Sequence, residues 1–418
     1  IRGGIKGVYN NLQWCDYLIS VPNEVAWLGW VLSKPVVVIG AGLAGMNAAI
    51  QLQKAGREVV VLEAADRAGG RTQSDQIDGF TCDRGFQLIN AKYPELAALN
   101  ILSELDFRFA DRALNIAIED RSHRLGDPCK YPFSAFDSAT GSIFEKFALF
   151  KALTRKPKPE LSIDEYLVAS GLGNTFERVL RPFLRGVYLT DLSNIAAPAG
   201  LEIIKTFVSG KPGLPSRGVG ALSVVMARRV SDLRLGVTVN SIKSGVVTTS
   251  VGEIPASEII VAADSTTAAQ LLDLGSVPKL AGCTTWYHSA PSAPVSHGQL
   301  IVDGQNRGAV INTLVISNFI PEYAPTGKNL ISSTTDTGIT ESEVRRHLST
   351  LYGCDNREWE LIAKYEIPAA LPIHSVGRAL SQSMKINEHH FVAGDHRTIP
   401  SQQGALFSGR LVAQLILN

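Results

Sequence analysis

The stretch VVVIGAGLAGMNAAIQLQKAGREVVVLEAADRAGGRT, Val36 to Thr72, leaves the chain few folds to choose from. A β-like run leads straight into GAGLAG. A helical pattern follows, with apolar Leu43, Met46, Ala49, Ile50 and Leu52, and Gly56 ends it before a second β-like run, REVVVLE. With 37 glycines in 418 residues, roughly 0.3 chance matches to GxGxxG are expected, so the spacing alone decides little. The strand before it and the helix after it decide. Gly40 permits the tight turn, Gly42 lets the backbone approach a pyrophosphate, and Gly45 allows close helix–strand packing. The first turn of the helix then presents free N–H groups to phosphates. Glu63 ends the second strand, where its carboxylate can accept from both ribose hydroxyls and would repel a 2′-phosphate, which disfavours NADP. These residues leave NAD and FAD both open.

The continuation separates them. EAADRAGGRT, Glu63 to Thr72, resembles the signature of the flavoprotein superfamily of flavin-containing amine oxidases, protoporphyrinogen oxidases and phytoene desaturases. The resemblance implies FAD, with Gly70 and Arg71 beside the pyrophosphate. DRGFQLIN, Asp83 to Asn90, is similar to the family segment that passes the flavin, which implies Gly85, Phe86 and Gln87 there. Val239 in GVTVNSI falls where the family's backbone holds the adenine. AGDHRTIPSQQGALFSGR resembles the closing flavin motif. It implies that Gly394 and Asp395 bond the ribityl-phosphate region, and that a helix starting near Gly404 and Ala405 aims its N-terminus at the isoalloxazine. A helix N-terminus there would stabilise the charge that reduction places on the flavin. The likeness runs from Pro35 onward and is nearest to a desaturase-like branch of FAD-dependent oxidoreductases.

The expected fold class is α/β (α+β overall): a discontinuous Rossmann-like FAD-binding domain with an inserted substrate domain of mixed sheet and helices. The FAD domain is expected in three segments, 35–87, 211–283 and 373–418. GVTVNSIKSGVVTTSVGEI reads as a meander inserted before the strand–turn–helix at Ser257–Gly275. Residues 88–210, read as helix-like, and 284–372, read as long strands with a helix at ESEVRRHLSTLYG, form the expected substrate domain. Residues 1–34, with Trp14, Trp27 and Trp30, form an N-terminal extension that either packs on its own domain or docks to a membrane surface or a protein partner.

Forty basic against 39 acidic residues give no sign of nucleic acid as a partner. Five widely spaced cysteines, Cys15, Cys82, Cys129, Cys283 and Cys354, lack metal or redox spacing. Buried free thiols and no metal are therefore expected, in a reducing compartment. That means the cytoplasm, or a plastid if the Ile1 start reflects removal of a transit peptide.

No second GxGxxG stands between a strand and a helix, so electrons are expected to leave to oxygen or a quinone. Amine oxidation is weakened by the closing stretch RTIPSQQGA, which has no aromatic residue to cage an amine, and Lys328 reads as solvated. The favoured reading is oxidation or desaturation of an apolar small-to-medium substrate (polyene, prenyl or tetrapyrrole-like) by hydride transfer to flavin N5. The alternatives are an amine or amino-acid oxidase, and a non-redox isomerase or structural FAD-binding subunit of a larger assembly. Gln87, His396 and Gln403 are the catalytic candidates. Arg84, Arg185 and Gln402 join them as substrate-side candidates, and the two arginines could instead pair with acids across a domain interface.

Overall fold

The computed structural model describes residues 34–418; the expectations for residues 1–34, Cys15 included, lie almost wholly outside them. The organising element is a five-stranded parallel sheet. Its spatial order is Leu233–Arg234, Val59–Leu62, Val36–Ile39, Ile259–Val261, His390–Val392. Three of these strands, VVVI, VVVL and IIV, are buried along their whole length. Such continuous apolar runs are what a parallel sheet covered on both faces demands.

Two helices seal one side. Leu43–Lys54 follows the first strand and packs against the C-terminal helix Gln402–Leu417. Their approach is close because Gly409 faces the Ala44 carbonyl, where a Cβ would collide. Asn47 is buried mid-helix and donates from Nδ2 to the Leu406 carbonyl at 2.7 Å. Residues 239–255 form the expected three-stranded meander.

A second, seven-stranded sheet runs in the order Glu360–Pro372, Leu280–Ala290, Asn329–Thr335, Val310–Val315, Leu300–Asp303, Ala113–Ile118, Arg121–Gly126. It is antiparallel except where Leu300–Asp303 meets Ala113–Ile118. Its last two strands correct the helix-like reading of residues 88–210, as does the short strand Phe107–Phe109. The hairpin was hidden because its turn is made by Glu119 at φ +53°, a position where sequence reading looks for Gly or Asn. The remainder of that stretch is mostly helical, and the expected helix at 341–352 is present.

Candidate functional site

Four parallel strands deliver their carboxyl ends to one place, the usual ligand position in an open α/β sheet. Gly40 leaves the first strand at φ +104°, and a Cβ there would lie 2.8 Å from the Ala262 carbonyl oxygen. Gly45 admits no side chain either: its Cβ would fall on the Gly40 carbonyl oxygen and 3.1 Å from Ala262 Cβ. Gly42 differs, with nothing within 4 Å of a Cβ. That is open space in front of a helix whose first turn has no side-chain cap and no acidic residue. Orphan amides beside open space are what a phosphate needs.

Glu63 reaches back from the second strand. Oε2 accepts from the Ala41 amide at 2.8 Å and Oε1 from the Ala65 amide at 3.0 Å, so the carboxylate also braces the glycine loop. The Val237 amide donates to the Glu63 carbonyl and Gly236 to Ala65, which brings the strand starting at Val239 alongside. The Gly69–Gly70 turn closes over the loop. Gly69 donates to the Ala41 carbonyl, and a Cβ on Gly70, at φ +56°, would sit 3.6 Å from Gly42 Cα.

From this turn Arg71 extends to the closing segment. Nη2 donates to Asp395 Oδ1 at 2.6 Å and Nη1 to the Ala370 carbonyl at 2.9 Å. Gln87 Nε2 donates to the Arg71 carbonyl at 2.9 Å, and Gln402 Nε2 donates to Gln87 Oε1 at 3.0 Å. Arg71, Gln87, Asp395 and Gln402, far apart in sequence, thus form one bonded chain. Gly394, at φ +154°, donates its amide to Ser408 Oγ at 2.8 Å. The C-terminal helix starts at Gln402 and is capped by Ser401 Oγ, which accepts from the Gly404 amide at 2.9 Å. Gly404 is required, since a Cβ would meet the Ile399 carbonyl; Ala405 is packed into the main core.

His396 is buried, and burial pushes its imidazole down to about 4. Its Nε2, Thr398 Oγ1 and Gln402 Oε1 are buried without a hydrogen-bond partner among the described residues. Buried polar atoms are normally satisfied. Three of them in seven residues of the closing segment mark a place for a polar group.

The Gly85–Gln87 segment is held from below by Asp83, which is fully buried. Its Oδ1 accepts from Ser74 Oγ at 2.5 Å and from the Val219 amide at 3.0 Å, and Oδ2 accepts from the Tyr323 hydroxyl at 2.9 Å. Burial raises its carboxyl to about 6 in spite of those donors. Tyr287 Oη accepts from the Asp83 amide and donates to its carbonyl, both at 3.0 Å. One face of the seven-stranded sheet therefore rests on this segment. Ile367 Cδ1 lies 3.1 Å from where a Gly85 Cβ would be, and Phe86 packs into the same core. Register puts Asn312, Thr334, Thr285 and Tyr365 side by side across four strands, with Tyr287 two residues beyond Thr285 on the same face. Thr285 Oγ1 and Asn312 Oδ1 are buried without partners, as is Nη1 of Arg185 on the helix packed over Asn312.

The remaining candidates are occupied elsewhere. Arg84 Nε donates to Asp75 at 2.8 Å, within its own hairpin, and Arg185 Nη2 to Asp336 at 2.5 Å. Both pair with acids, though neither pair bridges the two expected domains. Gln403 turns away, its Oε1 accepting from the Glu95 amide at 3.3 Å. Lys328 is exposed. Cys82 and Cys283 are buried free thiols and Cys354 is half-buried, but Cys129 is exposed. No cluster of metal-ligating side chains occurs among the described residues. Sequence reading missed Asn47, Asp83, Tyr287, Tyr323 and Gly409. A buried-type Asn on an apolar helix face was the one available signal.

The glycine cradle, the uncapped helix end and the unpartnered polar atoms of the closing segment fit FAD.

A family model described as flavin containing amine oxidoreductase matches residues 43–417. Putrescine oxidase of Kocuria rosea is 52% identical over 68 residues, 16% of this chain and 14% of that protein. Chloroplastic protoporphyrinogen oxidase of Nicotiana tabacum is 27% identical over 188 residues, 44% of this chain and 34% of that protein. These alignments span well under two thirds of either relative's length. Among solved structures, an oxidoreductase from Methanosarcina mazei superposes with a TM-score of 0.72 at 16% identity, over 91% of this chain and 100% of that one.

Proposed function

This chain belongs to the flavin-containing amine oxidoreductase family and is an FAD-dependent oxidoreductase; from that premise we propose that it oxidises or desaturates a substrate with an apolar body. The observation that carries this reading is the state of the acids around the site. Asp395 is bonded to Arg71, Asp336 to Arg185, and Asp75 to Arg67 and Arg84. Burial opposes ionisation of Asp75, but the hydrogen bonds of Arg84, Arg67 and Tyr365 outweigh it and hold its carboxyl down to about 2. An ammonium substrate would need a free carboxylate or an aromatic cage. No Phe, Tyr or Trp lies between Asp395 and Ala405, and the Tyr287 and Tyr365 rings meet edge to face, with the Arg84 guanidinium 6.0 Å over the Tyr365 ring.

Bound in the cradle, FAD supplies the two-electron acceptor for a hydride. The residues of this chain hold and orient. Gly40, Gly42, Gly45 and Gly70 would take the pyrophosphate, Glu63 the ribose, and the Val239 strand the adenine. Gly394, Asp395 and the start of the C-terminal helix, near Gly404 and Ala405, would take the flavin end, with Gly85, Phe86 and Gln87 alongside. The buried sheet face keeps water from a reacting carbon, and hydride transfer asks little more than position and dryness. His396, neutral at physiological pH, would act as a hydrogen-bonding group and not as a cation. Thr285 Oγ1 and Arg185 Nη1 give the apolar body's far end two unused donors, which suits a tetrapyrrole-like substrate bearing carboxylates. Electrons would then pass to oxygen or a quinone.

Anaerobic bleaching of flavin absorbance near ~450 nm by two substrate panels tests this. Polyenes, prenyl lipids and porphyrinogens are expected to bleach it. Bleaching by amines or amino acids alone would overturn the reading, and the rate of recovery in air reports whether oxygen is the acceptor.

A further inference from the structure

The helix Ile143–Thr154, IFEKFALFKALT, is apolar on both sides. Its inner side, with Ala148, Leu149, Ala152 and Leu153, packs on a helical core, and the Tyr166 hydroxyl fastens it by donating to the Ala152 carbonyl at 2.7 Å. Its outer side carries Phe144, Phe147 and Phe150. The neighbouring turn Pro132–Phe136 adds Phe133 and Phe136, and Lys146 Nζ ties the two elements by donating to the Ala135 and Asp137 carbonyls at 3.0 and 2.7 Å. All five rings are 66 to 85% exposed. Together they present roughly 700 Å² of aromatic surface, above the largest patch a typical monomer leaves open.

Charge singles out what covers it. Between residues 128 and 158 stand six lysines and arginines against two carboxylates. Both carboxylates are committed: Asp137 accepts from the Ala139 amide at 3.0 Å and sits 2.8 Å from His123 Nδ1, and Glu145 accepts from the Ser142 and Asn174 amides at 2.7 and 3.1 Å. Lys151, Arg155, Lys156 and Lys158, at the end of the aromatic helix, are exposed and form no ion pair among the described residues. A second copy of the chain docked on this face by two-fold symmetry would bring the same cationic surplus to the contact and no free carboxylate from this face to meet it. A lipid surface with anionic headgroups accepts both halves at once: rings enter at the headgroup–acyl boundary and the cations stay among the phosphates.

We propose that the Phe133–Phe150 face, with its Lys151–Lys158 edge, seats the protein on an anionic bilayer surface, the helix lying in the interface plane. No helix among the described residues is long and apolar enough to cross a membrane, so the contact is peripheral. The proposal stands independently of the substrate reading.

Full-length, flavin-loaded protein is sedimented with vesicles of phosphatidylcholine alone and of phosphatidylcholine with about a quarter phosphatidylglycerol. Binding is expected on the anionic vesicles and to fall as salt rises. The variant Phe144→Ser/Phe147→Ser/Phe150→Ser should lose about tenfold or more in affinity with flavin content unchanged. The variant Lys151→Gln/Arg155→Gln/Lys156→Gln/Lys158→Gln should lose the preference for anionic over neutral vesicles. Should the serine variant not fold, Phe144→Trp reads the contact directly, by a blue shift in the emission added to wild type when anionic vesicles are mixed in. Unchanged binding in the serine variant would put the contact elsewhere on the chain, residues 1–33 included, and overturn the proposal. So would absence of vesicle binding or of the tryptophan shift. A dimer in sedimentation velocity that the serine variant converts to monomer, without vesicle binding, would assign the face to a second copy instead.

Discussion

Arg71 and Asp395, 324 residues apart, are joined by a 2.6 Å hydrogen-bonded ion pair that ties the Gly69–Gly70 turn to the closing segment. The pair is lopsided: the arginine side chain is 40% exposed and the aspartate side chain 5%. Removing one partner strands the other, and a stranded buried carboxylate costs far more than a stranded, half-hydrated guanidinium. Arg71→Ala should therefore destabilise the protein by about 3 kcal/mol, and Asp395→Ala by no more than about half of that. Denaturant midpoints of the two variants as flavin-free protein give the comparison. Equal losses would mean the two ends of the pair are equally hydrated.

Gly42 and Gly45 belong to one motif and should fail in different ways. A side chain at 42 enters open space, whereas one at 45 strikes the Gly40 carbonyl. Gly42→Val is expected to fold with unchanged circular dichroism and to purify without flavin. Gly45→Val should not accumulate as folded protein, because helix Leu43–Lys54 can no longer lie on its strand. Flavin absorbance per protein, measured beside circular dichroism, checks both. Full flavin occupancy in Gly42→Val protein would refute placement of the pyrophosphate at this loop.

The cradle was legible in sequence because its physics is local. Glycine turn, close helix–strand approach, uncapped helix end and strand-end carboxylate fall within 24 residues, each with its own residue requirement. The closing segment was legible through resemblance. Sequence did not disclose which candidates meet. Gln87 and Gln402 are bonded and Gln403, one residue on, is turned to Glu95, a choice made by the pitch of the C-terminal helix. Asp83 could be read as part of DRGFQLIN but not as a hub, since Val219, Tyr287 and Tyr323 arrive from 136, 204 and 240 residues away.

His396 has a stability signature of definite sign. Its folded pKa, about 4, lies below the ordinary imidazole value near 6.5 because burial disfavours the cation. Between those values the unfolded chain binds the extra proton, so this residue makes stability rise with pH, and the effect levels off above about 6.5. His396→Asn should remove up to about 3 kcal/mol of that slope between pH 4 and 6.5. Denaturant unfolding of wild type and variant across that range measures the difference, in which histidines common to both proteins cancel. A pH-independent difference would mean the imidazole is charged in the folded state.

Asp83 has the opposite sign in an overlapping window. Burial raises its carboxyl to about 6, above the ordinary value near 4, so the folded state holds the proton that the unfolded state has lost. Its contribution is greatest below about pH 4 and is lost as pH rises through 6, where a fully buried carboxylate must ionise. Asn at this position can still accept from Ser74 and Val219, and its amide can face Tyr323 with the hydroxyl rotated to accept. Asp83→Asn should therefore gain on wild type as pH climbs from 4 to 7, by about 2 to 3 kcal/mol in all. The loop it holds carries Gly85, Phe86 and Gln87, so wild-type flavin retention should weaken over the same pH range while that of the variant stays flat. Parallel retention curves would leave Asp83 a role in folding alone, and a stability gain running the other way would mean the carboxylate is ionised throughout.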